Sequence, residues 1–250
     1  MEFLHFMSLP FLACLVLTGI HAYLGLHVIE RQVIFVDLAL AQIAVVGASL
    51  AVVGGYGLNS PQSYWFSLIF TILGATIFAL SRFKKQEIHQ EIIIGIIYVV
   101  SAALLVIILS FHGEGDQHIK EALVGNILLV TKPEIMKIFL IYSFVGIFHY
   151  SFRKYFLMIS MSPQQAFSQG VNVRWWDFLF YVSFGIVVTS SVKIAGVLLV
   201  FSFLVIPTVC AVLLSKDLII RLWIGWGIGI FGSVLGMIVS YYFDFPTGAS

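Results

Sequence analysis

Few side chains within the long apolar stretches of this chain could hold a proton or a cation: His21, Asp37 and Gln42, with His27, Glu30 and His149 near the margins. Ionisable groups at membrane depth are costly, so each is a functional hypothesis by default. Helix geometry limits how they can combine. Asp37 and Gln42 are five residues apart, about 140° around a helix, so they do not share a face and cannot jointly chelate one ion. His21 falls about as far before the first turnaround as Asp37 falls after it, so the two could pair across adjacent antiparallel helices. Such a pair could bind a metal or relay a proton; equally, it could be a structural hydrogen bond that keeps a buried carboxylate satisfied.

The second feature is MSPQQAFSQG, a short polar element between apolar segments. Ser162 is an expected N-cap, and Gln165 can reach back to complete a capping box. Pro163 suits the first helical position, Gln164, Gln165 and Ala166 continue the turn, and Gly170 can end it in the left-handed conformation. A helix of about two turns is not stable alone and needs a surface to lie against. Arg153, Lys154 and Arg174 flank it. Such an element suits transmission of force between a bundle of spans and a soluble partner; an ordinary interhelical loop is the plainer reading. Pro207, inside AGVLLVFSFLVIPTVCAVLL, is expected to kink its helix, with Ser202 and Thr208 helping to satisfy the freed carbonyl.

These residues require long helices to position them. The chain is 60% hydrophobic and 10% charged, with a mean hydropathy of +1.05, which implies an integral membrane protein. A net charge of +1 gives no support for nucleic-acid binding. Cys14 and Cys210 both lie in apolar runs, so neither a disulfide nor a CxxC site is expected. The N-terminus lacks the basic region and cleavage site of a signal peptide. Continuous apolarity excludes the alternation of an outer-membrane barrel. The expected fold is an all-α polytopic membrane protein, one membrane domain over 1–250. Its eight spans run roughly 3–25, 33–53, 63–80, 92–111, 136–150, 175–192, 194–213 and 218–243. Small residues from Ala39 to Gly55 favour close packing of the second span.

Basic residues set the orientation. Arg31, Arg82, Lys84, Lys85, Arg153, Lys154, Arg174, Lys216 and Arg221 fall on one side, against Lys120, Lys132, Lys137 and Lys193 on the other. The first side is expected to be cytoplasmic, with both termini outside and the Ser162 element inside. Between Ala122 and Val130 an apolar stretch too short to span is expected to lie in, or re-enter, the outer interface. The chain holds no HExxH, GxSxG or Walker motif, so any ATP hydrolysis would belong to another chain.

Four stretches in order, covering nearly the whole chain, resemble the membrane permease of the metal-transporting ABC-3 family. IERQVIFVDLALAQIAVVGASLA is similar to its second-span pattern of an arginine followed by GDxxxHxxxxG. SPQQAFSQGVNVRWWD resembles its DPExAxxxG coupling segment, GVLLVFSFLVIPTVCAVLL its GVLLVxxLLxxPxxxAxLL, and FDFPTG its terminal [LD]xPTG. The resemblance implies a permease homodimer in the bacterial cytoplasmic membrane, a cytoplasmic ATPase dimer that binds ATP, and a periplasmic or surface metal-binding protein. It implies no resident cofactor, and a divalent metal as cargo: zinc, manganese or iron. The Ser162 helix would be the coupling helix.

Aligned on Gly47, the family's pathway aspartate falls on Leu38 and its histidine on Gln42, with Asp37 one residue out of register. An amide oxygen is a weaker transition-metal ligand than imidazole. In the coupling segment Ser162 and Gln164 replace the usual acidic residues. Family members usually continue through another apolar stretch after the PTG motif, which implies a shortened variant or an incomplete sequence. Three alternatives to a metal permease stay open: an ABC permease for another cargo, a stand-alone channel or carrier using His21 and Asp37, and a purely structural membrane subunit.

Overall fold

The computed structural model describes residues 2–58, 60–82, 89–110, 125, 127–243 and 245. Nine α-helices account for most of them: α1 Glu2–Glu30, α2 Val36–Val53, α3 Pro61–Leu80, α4 Gln90–Ser110, α5 Lys132–Ser151, α6 Arg153–Met161, α7 Pro163–Ser168, α8 Val173–Leu214 and α9 Leu218–Phe243. A short 3-10 turn covers Ile127–Leu129, and the described residues contain no strand. Lys84, Lys85, Lys120, four of the nine residues of the expected re-entrant stretch Ala122–Val130, and most of the FDFPTG motif lie outside the described residues.

Helix starts follow local chemistry. Ser60 caps α3 by accepting the Ser63 N–H at 3.1 Å, with Pro61 at the first position. Asp217 caps α9, its carboxylate accepting the N–H groups of Ile219 and Ile220 at 2.9 and 3.0 Å. A carboxylate reaching back to the N-cap is found at Thr131, where Glu134 Oε2 accepts the Thr131 N–H at 2.8 Å. The capping box expected at Ser162 is not formed: Ser162 makes no side-chain cap bond. Its backbone is already engaged in ending α6, its N–H donating to Met158 O at 2.8 Å, and its dihedrals (φ −143°, ψ 64°) serve as the joint between two helices.

Six helices are long and apolar enough to cross a membrane, or seven if α5 and α6, bent by 78° at their junction, form one broken span. The expected count of eight is therefore approximate. It is reached only by dividing α8, whose 42 residues would run about 63 Å at 1.5 Å per residue, twice a bilayer core. The division exists in the backbone: Gly196 has φ 75° and ψ 164°, a conformation open essentially to glycine. The apolar boundary expected at Lys193 lies at Gly196, eleven residues before Pro207. The first helix is also longer than expected. His27 and Glu30 belong to its last turns rather than to a loop, and His27 is buried.

The chain divides into two compact units. Unit 1 comprises Met1–Ile29, Lys120–Phe148 and Ser190–Ser250, and unit 2 comprises Glu30–Ile119 and His149–Thr189. In unit 1, α9 turns Gly225, Gly229, Ser233, Met237 and Ser240 inward, a small-residue stripe that permits close helix approach. Trp226 Nε1 donates to Gly19 O of α1 at 3.1 Å. In unit 2, α2 packs against α3 and α4. A Cβ at Gly47 would lie 2.6 Å from Phe66 O of α3, so the small residues of α2 serve tight packing. Thr71 of α3 meets Thr189 of α8 at 3.0 Å. The most apolar window of α2 is 72% buried and that of α9 is 17%, so α2 is enclosed by its own chain while α9 leaves most of its apolar surface uncovered by it.

Candidate functional site

In unit 2, the start of α2 collects oxygen donors. Asp37 lies in its first turn, 1% exposed, and Oδ1 accepts the Leu38 N–H at 2.8 Å. Glu91, from the first turn of α4, accepts the Phe35 N–H at 3.0 Å. Two carboxylates thus sit at the positive end of the α2 dipole. Glu91 was not among the residues expected here, because in sequence it looks like an ordinary span-edge acid. Gln42 is buried farther along α2, and its amide oxygen has no hydrogen-bond partner. Among the described residues no group of three or more His, Cys, Asp or Glu is placed to hold a metal ion.

His21 belongs to unit 1 and Asp37 to unit 2, each engaged by partners of its own. His21 is fully buried on α1. Its Nδ1 lies 2.8 Å from Leu17 O, and a carbonyl only accepts, so Nδ1 carries the proton. In the neutral ring Nε2 must then accept, and Ser191 Oγ donates to it at 3.2 Å. Tyr142 OH in turn donates to Ser191 Oγ at 2.5 Å. The result is a directed chain, Tyr142 to Ser191 to His21 to Leu17 O. His149 is similarly satisfied: its Nε2 lies 2.8 Å from Ser183 Oγ, and its ring stacks on Phe156 at 4.2 Å.

The Ser162 element has an apolar seat. Ala166 of α7 is buried against Ile159 of α6 and Val173 of α8, with Phe167, Val171 and Trp176 around them. Gln164, Gln165, Ser168 and Gln169 point outward. Ala166 therefore anchors α7 to its own chain, and the glutamines form its free face. The helix ends with Gly170 at φ 71°; the Gly170 N–H reaches Phe167 O at 3.2 Å and the Val171 N–H reaches Ala166 O at 3.0 Å. That is a Schellman ending, its apolar contact supplied by Val171.

Beside this seat lies an ion-pair network built on Asp177, a residue of α8 whose role has no counterpart among the sequence expectations. Arg31 Nη1 donates to Asp177 Oδ1 at 2.5 Å, and Arg82 Nη1 lies 3.0 Å from both carboxylate oxygens. Arg31 Nε donates to Ser160 Oγ at 2.8 Å, and Arg82 Nη2 to Ile159 O at 3.3 Å. The Arg31 guanidinium also covers the Phe180 ring, 3.9 Å from its centroid. Both arginines are 7% exposed. Two charges counted from sequence as markers of a solvated side are buried, and they gather the chain after α1, the end of α3, α6 and the start of α8 at one place. Arg153, Lys154 and Arg174 stay exposed.

At Pro207 the expected hydroxyl rescue is not seen. Ser202 donates to Leu198 O at 2.9 Å and Thr208 to Leu204 O at 2.6 Å, each to its own carbonyl four residues back, leaving neither proton for the carbonyl that proline frees. Pro207 lines a cavity of about 360 Å³ with Cys14, Phe203, Gly229 and Met237.

Comparison with known proteins gives concordant matches. The profile described as "ABC 3 transport family" matches residues 4–250. A probable iron transport system membrane protein of Haemophilus influenzae is 25% identical over 244 residues, 98% of this chain and 88% of its own. The manganese transport system membrane protein MntC of Listeria innocua is 28% identical over 199 residues, 75% of this chain and 69% of its own. Among solved structures, PsaBC from Streptococcus pneumoniae in complex with Fab superposes with a TM-score of 0.80 at 21% identity, covering 99% of this chain and 89% of that one. An inward-facing conformation of a putative metal-chelate type ABC transporter gives 0.73 at 19% identity, covering 97% and 80%.

Proposed function

The chain belongs to the ABC 3 transport family, and from that premise we propose that it is the membrane permease of an ABC importer for a divalent transition metal, acting as a homodimer in a bacterial cytoplasmic membrane. A separate ATPase dimer supplies the energy and an external binding protein delivers the ion. The observation that carries this reading is α7: a six-residue helix seated by Ala166 on its own chain, closed by Gly170, and presenting glutamines, with exposed Arg153, Lys154 and Arg174 on the helices that flank it in sequence. That surface holds cations and amides, so the ATPase groove it enters is expected to be acidic. Relatives named for iron and manganese transport support a metal cargo.

Asp37 and Gln42 are the pathway groups of α2 in this reading, and both are oxygen donors. Oxygen ligands suit manganese better than zinc, which favours imidazole and thiolate. His21 serves its hydrogen-bonded chain first, and binds cargo through Nε2 only when Ser191 turns away. Manganese is therefore placed ahead of zinc and iron. Pro207 is a softened point of α8 rather than its break.

The test is ATP-driven uptake of manganese, zinc and iron into proteoliposomes holding this chain and the ATPase encoded beside it. Manganese uptake that disappears in Asp37→Ala is the expected result. Recruitment of an ATPase with no uptake of any of the three keeps the permease and discards the metal. Failure to recruit an ATPase removes the reading altogether.

A further inference from the structure

α7 alone cannot move a pathway, because its seat joins it only to α6 and the first turn of α8. Among the described residues of unit 2, a polar link from that seat toward α3 runs through Ile159. Ile159 contributes its side chain to the seat of α7 and its carbonyl to Arg82 Nη2. The same guanidinium grips Asp177 of α8 through Nη1. Arg82 follows the C-terminal end of α3, whose last helical residue is Leu80, and α3 packs directly on α2, the helix of Asp37 and Gln42.

The charge balance points away from a purely stabilising role. Two guanidiniums share one carboxylate, and Arg31 Nη2 is buried without a partner. Arg31 alone would neutralise Asp177, so among the described residues the second arginine brings a charge with no carboxylate of its own to a buried site, where a lone ion pair would serve stability as well. What Arg82 adds is a forked attachment to two elements at once, which a lysine's single ammonium cannot reproduce.

We propose that Arg82 is a positioning residue that makes the end of α3 follow the α7 seat by holding Asp177 and the Ile159 carbonyl together, and so passes ATPase motion to the α2–α3 pair. This rests on α7 being the ATPase contact proposed above. The test uses the full permease–ATPase complex in proteoliposomes, measuring metal taken up per ATP hydrolysed, ATPase recruitment and basal hydrolysis. A cargo-independent readout comes from a spin label at Val53→Cys on α2, with Cys14 and Cys210 replaced by alanine, compared between ADP-bound and ATP–vanadate-trapped complexes. Arg82→Gln leaves the neutral Arg31–Asp177 pair, so recruitment and basal hydrolysis are expected to persist. Uptake per ATP is expected to fall about fivefold or more, the scale of couplings of this kind, and the label displacement to shrink. Arg82→Lys is expected to fall between Arg82→Gln and wild type.

Wild-type uptake per ATP and label displacement in Arg82→Gln would overturn the inference. So would a loss of uptake that only tracks a loss of recruitment in both variants, which is what a structural role predicts. A wild-type complex whose label moves but which takes up no metal removes the cargo while the label still judges Arg82. A wild-type chain that recruits no ATPase overturns this inference together with the function it rests on.

Discussion

Around His21 in unit 1, buried polar groups form a neutral chain, whereas around Asp177 in unit 2 two cations crowd one anion. The chain from Tyr142 through Ser191 to His21 and Leu17 O is made of neutral hydrogen bonds. In the Arg31–Asp177–Arg82 network two guanidiniums share one carboxylate among the described residues. A satisfied neutral chain fixes helix positions cheaply, since a hydrogen bond contributes about 0.5–1.5 kcal/mol net and carries no desolvated charge. A buried ion network contributes little as a whole, yet breaking it from one side is expensive. Unit 1 is built to hold a position, and unit 2 to make several segments depend on each other.

The most severe way to break this contrast is Asp177→Asn, which leaves two buried guanidiniums without an anion. It is expected to cost about 3–5 kcal/mol in denaturant unfolding of the purified protein; a loss under about 1 kcal/mol would mean the network is wetter than its burial implies. Next comes Ser191→Ala in unit 1, which removes the hydroxyl that joins Tyr142 OH to His21 Nε2, with an expected loss of about 1–3 kcal/mol. Tyr142→Phe removes only the first donor and leaves Ser191 bonded to His21, so about 0.5–1.5 kcal/mol is expected. If it matched Ser191→Ala, the direction assigned to the chain would be wrong. The smallest effect is expected at Ser162→Ala. A working N-cap would lose about 0.5–2 kcal/mol, but Ser162 makes no side-chain cap bond, and unfolding midpoints of variant and wild type should coincide.

The same contrast explains what could be read from sequence. Helix ends set by apolarity were legible: 218–243 is α9, and 33–53, 63–80 and 92–111 lie within a few residues of α2, α3 and α4. The expected end at 150 falls within a residue of the end of α5, and the boundary at Lys193 falls three residues from Gly196; what hydropathy does not carry is the angle of the α5–α6 bend or the backbone conformation at Gly196. At the candidate site, Asp37, Gln42 and His21 stood out because they are polar in apolar surroundings. Arg31 and Arg82 were visible too, but as charges at span ends, where solvation is the default. Their shared partner Asp177 lies 146 and 95 residues away along the chain, a pairing that no local pattern encodes. Gly170 could be read because its left-handed turn is a local event. The Ser162 cap misled because the same residue also had to finish α6.

Gly196 has a companion. Gly125, itself at φ 66°, sits so close to the backbone of Ala195 and Gly196 that a Cβ would overlap it. A side chain at residue 125 would have to pry open the interruption in α8, and a side chain at residue 196 would close off the conformation that Gly125 fits against. Neither position can drift alone without a defect in the other. Across natural variants of this chain the two glycines should therefore be kept together or exchanged together, and single-site mutational scans should find both intolerant where their apolar neighbours accept many substitutions.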